Sequence, residues 1–129
     1  MIIVDTALNK RESEGNPVRV AVVGAGYIGR GTTLQIEKYL PGMRVVVISN
    51  RTLSQAARAY QEAGIDSFNT VETVSQLEDS IAKGQYAITD NALLLCEADG
   101  AEVIIEATGD VEFSSHVAMK AIEHKNIWC

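Results

Sequence analysis

Apolar positions follow two periods along the chain, one of strands and one of helices. Val18-Arg19-Val20-Ala21-Val22-Val23 is an almost unbroken apolar run stopped by Gly24, the pattern of a strand buried on both faces. Ile28, Thr32, Ile36 and Leu40 then recur every four residues, which predicts a helix with these positions on its inner face, broken by Pro41-Gly42. Arg44-Val45-Val46-Val47-Ile48 reads as a second strand. Leu53, Ala56, Ala57 and Tyr60 mark a second helix, closed by Gly64. Val74, Leu77 and Ile81 predict a helix ending near Gly84, and Tyr86-Ala87-Ile88-Thr89 a short third strand. Asp90 reads as the cap of a helix through Leu93 and Leu94, and Glu102 to Ala107 as the fourth strand. Phe113, Val117, Ala121 and Ile122 mark a last helix, and Asn126 to Cys129 the start of a fifth strand. Ahead of all these, residues 5 to 14 read as a short helix capped by Asp5 and ended by Gly15-Asn16-Pro17.

Strands alternating with helices imply right-handed crossovers and a parallel sheet. The expected fold is therefore α/β, a doubly wound parallel sheet of the Rossmann type, with residues 1–129 as one domain. Aromatics are only 5% of the chain against 47% hydrophobic residues in all, so the core must be built from Val, Ile, Leu and Ala. The chain stops inside an apparent strand, so it is expected to be the N-terminal fragment of a longer protein.

A net charge of −6 argues against a broad electrostatic grip on nucleic acid or an anionic membrane. It still permits a local positive pocket for a phosphate. The apolar run Ile2-Ile3-Val4 stops at Asp5, too early for a signal peptide, and no stretch is long enough to span a bilayer. A cytoplasmic location is expected. Cys96 and Cys129 form no CxxC pair and no metal-ligand spacing, and read as thiols in a reducing compartment. No metal site is expected.

The strongest motif is Gly24-Ala25-Gly26-Tyr27-Ile28-Gly29. A bare GxGxxG carries little information, but this one follows a strand and opens a helix, as dinucleotide binding requires. Gly24 permits a tight turn, Gly26 has no side chain to block a pyrophosphate, and Gly29 lets the helix lie close to the strand. The helix N-terminus then offers the phosphates its N–H groups and a partial positive charge. Arg30 sits where a cation opposes the helix dipole, a penalty that a bound phosphate reverses. Its bland alternative is a solvated arginine bending toward an acidic neighbour.

The end of the second strand distinguishes NAD from NADP. NAD sites place an Asp or Glu about 20 residues after the glycines, on the ribose 2′-hydroxyl. Here the chain reads Ile48-Ser49-Asn50-Arg51-Thr52, without a carboxylate. Arg51 is suited to stack on adenine and pair with a 2′-phosphate, with Asn50 and Thr52 adding hydrogen bonds. NADP is the expected cofactor, ahead of NAD, and an Asp placed at Ser49 or Asn50 is expected to favour NAD. The plainer reading makes Arg51 a surface residue and Thr52 a helix N-cap.

Ala107-Thr108-Gly109 ends the fourth strand beside the point where strand order reverses, where open α/β sheets bind ligands. These small residues are candidates for contact with the nicotinamide half. Glu106 and Asp110 read as turn carboxylates, His116 as solvent-exposed, and His124 as a cation favoured at a helix end. No catalytic residue emerges, and catalytic groups are expected beyond residue 129.

With these motifs placed, the chain resembles the NAD(P)-binding domain of homoserine dehydrogenase-like oxidoreductases, in the branch where that domain precedes a SAF domain. The resemblance rests on Val4-Asp5-Thr6-Ala7-Leu8, the Gly24–Gly31 run with Arg30-Gly31, Ile88-Thr89-Asp90, and Glu106-Ala107-Thr108-Gly109. It implies hydride transfer between nicotinamide and a carbonyl or alcohol carbon of a small molecule. One activity in that branch is 1-deoxy-D-xylulose 5-phosphate reductoisomerase-like. Two other readings stand beside it: a non-catalytic module that senses redox state through NAD(P), and, more weakly, an S-adenosylmethionine-dependent transferase, against which Gly29 and the Arg51 region count. The sequence leaves the substrate and homo-oligomer formation open.

Overall fold

The computed structural model describes residues 10, 11, 13–107 and 127–128. Its elements are β1 (Val18–Val23), α1 (Tyr27–Tyr39), β2 (Met43–Ser49), α2 (Leu53–Glu62), β3 (Asn69–Thr70), α3 (Val74–Ala82), β4 (Ala87–Thr89), α4 (Leu93–Glu97), β5 (Val103–Glu106) and β6 (Ile127–Trp128). The strands form one sheet in the order β3-β4-β2-β1-β5-β6, and every pair is parallel. β1 lies between β2 and β5, so strand order reverses beside it, as expected of a doubly wound sheet.

Val20, Ala21, Val22 and Val23 are all fully buried or nearly so, because helices cover both faces of the sheet. One core joins Val20, Val22, Val45, Ile48 and Ile88 to Ile36 of α1 and to Ala56, Ala59 and Tyr60 of α2. The other joins Ala21, Val23, Val47, Ala87 and Ile104 to Leu77 of α3 and to Leu94, Leu95 and Cys96 of α4. A bulge in β2 adjusts the register: Val20 pairs with Val45 but Ala21 with Val47. Val46 is the extra residue, and it joins Val47 in the second core.

The structure refines several expectations. On α1 the inward residues are Gly29, Thr33 and Ile36, whereas Ile28 is 67% exposed. The inner face is rotated by one residue because Gly29, not Ile28, lies against the strand. The short strand β3 was not expected: Asn69 and Thr70 are both exposed and carry no apolar signal. Asp90 does not cap α4. The N-cap is Ala92, which makes no side-chain capping bond; ahead of it Asn91 Oδ1 accepts from Leu93 N at 3.1 Å. α3 begins at Val74, capped by Thr73, whose Oγ1 accepts from Gln76 N at 3.1 Å, and Gly64 follows α2 at φ +85°. Of the predicted opening helix, Lys10, Arg11 and Ser13 are helical. Its earlier part, the predicted helix carrying Phe113, Val117, Ala121 and Ile122, and Asp110, His116, His124 and Cys129 lie outside the described residues.

β4 reaches β2 only at Val47–Ser49, so the backbone of Val45 has no strand partner on that side. Side chains serve it instead. Val45 N donates to Glu37 Oε1 at 2.8 Å, and the Tyr60 hydroxyl donates toward the carbonyls of Val45 and Ala87 at 3.2 and 3.1 Å. Burial keeps the Tyr60 hydroxyl protonated well above the ordinary tyrosine range. The Tyr86 hydroxyl donates to Glu37 Oε2 at 3.1 Å. Burial raises the Glu37 pKa, partly offset by the bonds from Val45 and Tyr86 and by the charge of Arg44. A carboxyl with a raised folded-state pKa holds more protons folded than unfolded between the two values. Its stabilising contribution is complete below about pH 4.3 and falls as pH rises through the folded value. The stability advantage of the wild-type protein over Glu37→Gln is therefore expected to shrink from pH 4 to pH 7 in urea unfolding. A difference that grows with pH contradicts this assignment.

Candidate functional site

β1 ends at the carboxyl edge of the sheet in the glycine turn. Gly24 has φ +105°, a conformation that side chains rarely adopt, and its N–H donates to Ser49 O at 2.7 Å. Gly29 is required by contact: a Cβ there would lie 2.1 Å from Gly24 O and 3.7 Å from Ala107 Cβ. Helix, turn and the end of β5 thus meet at one glycine. Ala107 N donates to Val23 O at 2.8 Å, which holds that end of β5 beside the turn. Thr108 and Gly109 lie outside the described residues.

Gly26 is different. It is the N-cap of α1 at φ −77°, an ordinary conformation, and a Cβ there would meet nothing within 4 Å. Neither its backbone angle nor the surrounding packing calls for glycine. The first turn of α1 carries no acidic residue and no side-chain cap. The N–H groups of Tyr27, Ile28 and Gly29 begin the helix, and the Tyr27 and Ile28 side chains are exposed.

Neighbouring elements hold the turn from two sides. Asn50, just past β2, accepts from Ala25 N through Oδ1 at 3.1 Å. Arg30 donates to Ala25 O at 3.2 Å and pairs with Glu62 of α2 at 3.2 Å; Glu62 also pairs with Arg58. The acidic neighbour considered for Arg30 is therefore Glu62. Arg51 and Thr52 are exposed at the same edge. Thr52 is the N-cap of α2 but makes no side-chain capping bond.

A cavity of about 750 Å³ touches Tyr27, Ile28 and Arg30 but runs down the flank of α1 to Leu40 and Met43. It is a groove beside the helix, and Gly26 is not among the residues that line it. Glu37, Tyr60 and Tyr86, the groups with shifted titration, gather around Val45 in the first half of β2, away from the turn. Among the described residues, no group of His, Cys, Asp or Glu could hold a metal ion, and no helix is long and apolar enough to cross a membrane.

No family profile and no curated protein matches the chain. Solved structures do. Myo-inositol dehydrogenase from Lactobacillus casei, in complex with NAD(H) and myo-inositol, superposes with TM-score 0.65 at 14% identity, over 87% of this chain and 27% of that one. The chain has a Rossmann fold. A 3-ketoreductase from Actinomadura kijaniata, in complex with TDP-benzene and NADP, gives TM-score 0.60 at 18% identity, over 88% of this chain and 29% of that one. Levoglucosan dehydrogenase in complex with NADH gives TM-score 0.60 at 17% identity, over 88% and 27%. The chain thus spans between 27% and 29% of the length of these three structures.

The two glycines of α1 make a paired test. Gly29→Ala is expected to destabilise the protein by about 1–3 kcal/mol through overpacking against backbone. Gly31, where a Cβ would meet nothing within 4 Å, is expected to accept Ala with a gain of up to about 1 kcal/mol. Urea unfolding reads both, and an unchanged midpoint for Gly29→Ala contradicts the close approach.

Proposed function

We propose that this chain is the nucleotide-binding domain of an NADP(H)-dependent oxidoreductase. The observation that carries the reading is Gly26, a glycine that neither its backbone angle nor the packing around it requires. A ligand that must approach the backbone closely explains it. The N–H groups of Tyr27, Ile28 and Gly29 bind the pyrophosphate, favoured by the helix dipole and by a first turn free of carboxylates. Arg30 and Asn50 hold the turn in shape, and the Arg30–Glu62 pair places a compensated charge beside it. Ala107, with Thr108 and Gly109 after it, flanks the nicotinamide half.

NADP is preferred over NAD on local chemistry. The solved structures of the same fold include complexes with either cofactor. The loop Ser49-Asn50-Arg51-Thr52 offers no carboxylate for a ribose 2′-hydroxyl, and Arg51 is exposed at the edge where a 2′-phosphate would lie. Thr52 adds a hydroxyl beside it. When bound, the cofactor supplies hydride chemistry, and this domain binds and orients it. The resemblance to homoserine dehydrogenase-like enzymes supports a carbonyl or alcohol carbon of a small molecule as the hydride partner, with the acid–base groups outside this domain.

Calorimetric titration of two variants tests both layers of the reading. Gly26→Ala is expected to keep wild-type stability yet bind NADP and NAD at least about tenfold more weakly, because its methyl occupies the phosphate approach. Arg51→Ala is expected to lose about ten- to a hundredfold in NADP affinity, the worth of a charge-assisted bond, and far less for NAD. Unchanged binding in Gly26→Ala rejects the site, and equal losses for both nucleotides in Arg51→Ala reject the phosphate role.

A further inference from the structure

We propose that Asn50 is a positioning residue that ties the glycine turn to the loop carrying Arg51, so that the pyrophosphate and ribose-phosphate halves of the site are held as one unit. The inference rests on the nucleotide reading above.

Asn50 makes three hydrogen bonds within the chain. Its Oδ1 accepts from Ala25 N at 3.1 Å, its Nδ2 donates to Thr52 O at 3.0 Å, and its backbone N–H donates to Thr89 O at 3.1 Å. The orientation of the amide is fixed by its partners, since a backbone N–H only donates and a carbonyl only accepts. One planar group therefore bridges the turn after β1 and the loop after β2, while the third bond anchors it to β4. The Ala25 carbonyl accepts from Arg30, so the peptide units on both sides of Ala25 are held. Arg51 lies between the two residues that the bridge uses, Asn50 and Thr52, and its backbone position follows from theirs.

The bridge constrains cofactor specificity. On sequence grounds, an Asp at position 50 should favour NAD by offering an acceptor to the ribose hydroxyl. In the structure a carboxylate there still accepts from Ala25 N–H, but it cannot donate to Thr52 O and sets two oxygens against each other. The Arg51 loop is then released, and NAD gains nothing from the new charge. Ser49 offers no alternative, because its side chain is buried.

The test combines Asn50→Asp, Asn50→Ala and Arg51→Ala, with NADP and NAD as probes and amide hydrogen exchange of the ligand-free protein. In Asn50→Ala, exchange at Ala25 N–H is expected to speed up about two- to tenfold, the worth of one hydrogen bond, while Gly24 N–H, held by Ser49 O, keeps its rate. Asn50→Asp retains the Ala25 bond and hence the turn, yet is expected to bind NADP about two- to tenfold more weakly and NAD no more tightly than the wild type. Arg51→Ala is expected to cost less NADP affinity in the Asn50→Ala background than in the wild type, the signature of coupled residues. NAD affinity that rises in Asn50→Asp, or NADP affinity that stays unchanged there, overturns the proposal, as does an equal cost of Arg51→Ala in both backgrounds. Wild-type protein that binds neither nucleotide removes the nucleotide reading and this inference with it. That result is distinct from tight binding with uncoupled variants, which removes this inference alone.

Discussion

The contact between Gly29 and the Gly24 carbonyl fixes the position of α1, and much of the molecule depends on it. A Cβ at position 29 would lie 2.1 Å from that oxygen, so the helix rests on the end of β1 at backbone distance. This contact turns Gly29, Thr33 and Ile36 inward and leaves Tyr27 and Ile28 at the open edge. It also aims the helix N-terminus at the space above Gly26. Packing and the candidate binding geometry therefore share one constraint, and a helix displaced by a single methyl group loses both.

The two ends of the sheet divide the work. At the lower end, Glu37, Tyr60 and Tyr86 surround Val45, whose backbone β4 is too short to pair. Their shifted titration follows from burial in the service of the fold. At the carboxyl end, the turn carries no acidic residue in its helical part, and its charged neighbour Arg30 is already paired with Glu62. That end suits the binding of an anion by backbone groups.

The strands and the glycine turn were legible in the sequence because β1, β2 and β5 are continuous apolar runs and the motif sits between a strand and a helix. Other features leave no such trace. Ile28 and Gly29 are neighbours, and a four-residue spacing of apolar positions favours the isoleucine, although the contact belongs to the residue without a side chain. β3 consists of two exposed polar residues held by backbone bonds such as Asn69 N to Tyr86 O and Val71 N to Ile88 O. The bulge at Val46 lies within three consecutive valines, where there is no alternation to interrupt. Asn50 after a strand reads equally well as a ligand contact or as a brace, and only the positions of Ala25 and Thr52 show that its amide is engaged within the chain.

The central claim is that the opening turn of α1 receives the pyrophosphate of a dinucleotide. Amide chemical-shift mapping of the isotopically labelled protein during titration with NADP tests it most directly. The account predicts saturable shifts that are largest at the amides of Gly26, Tyr27, Ile28 and Gly29, with a second group at Arg51 and Thr52. Saturable shifts confined to the flank of α1 near Leu40 and Met43, or no saturable shifts at all, would contradict it.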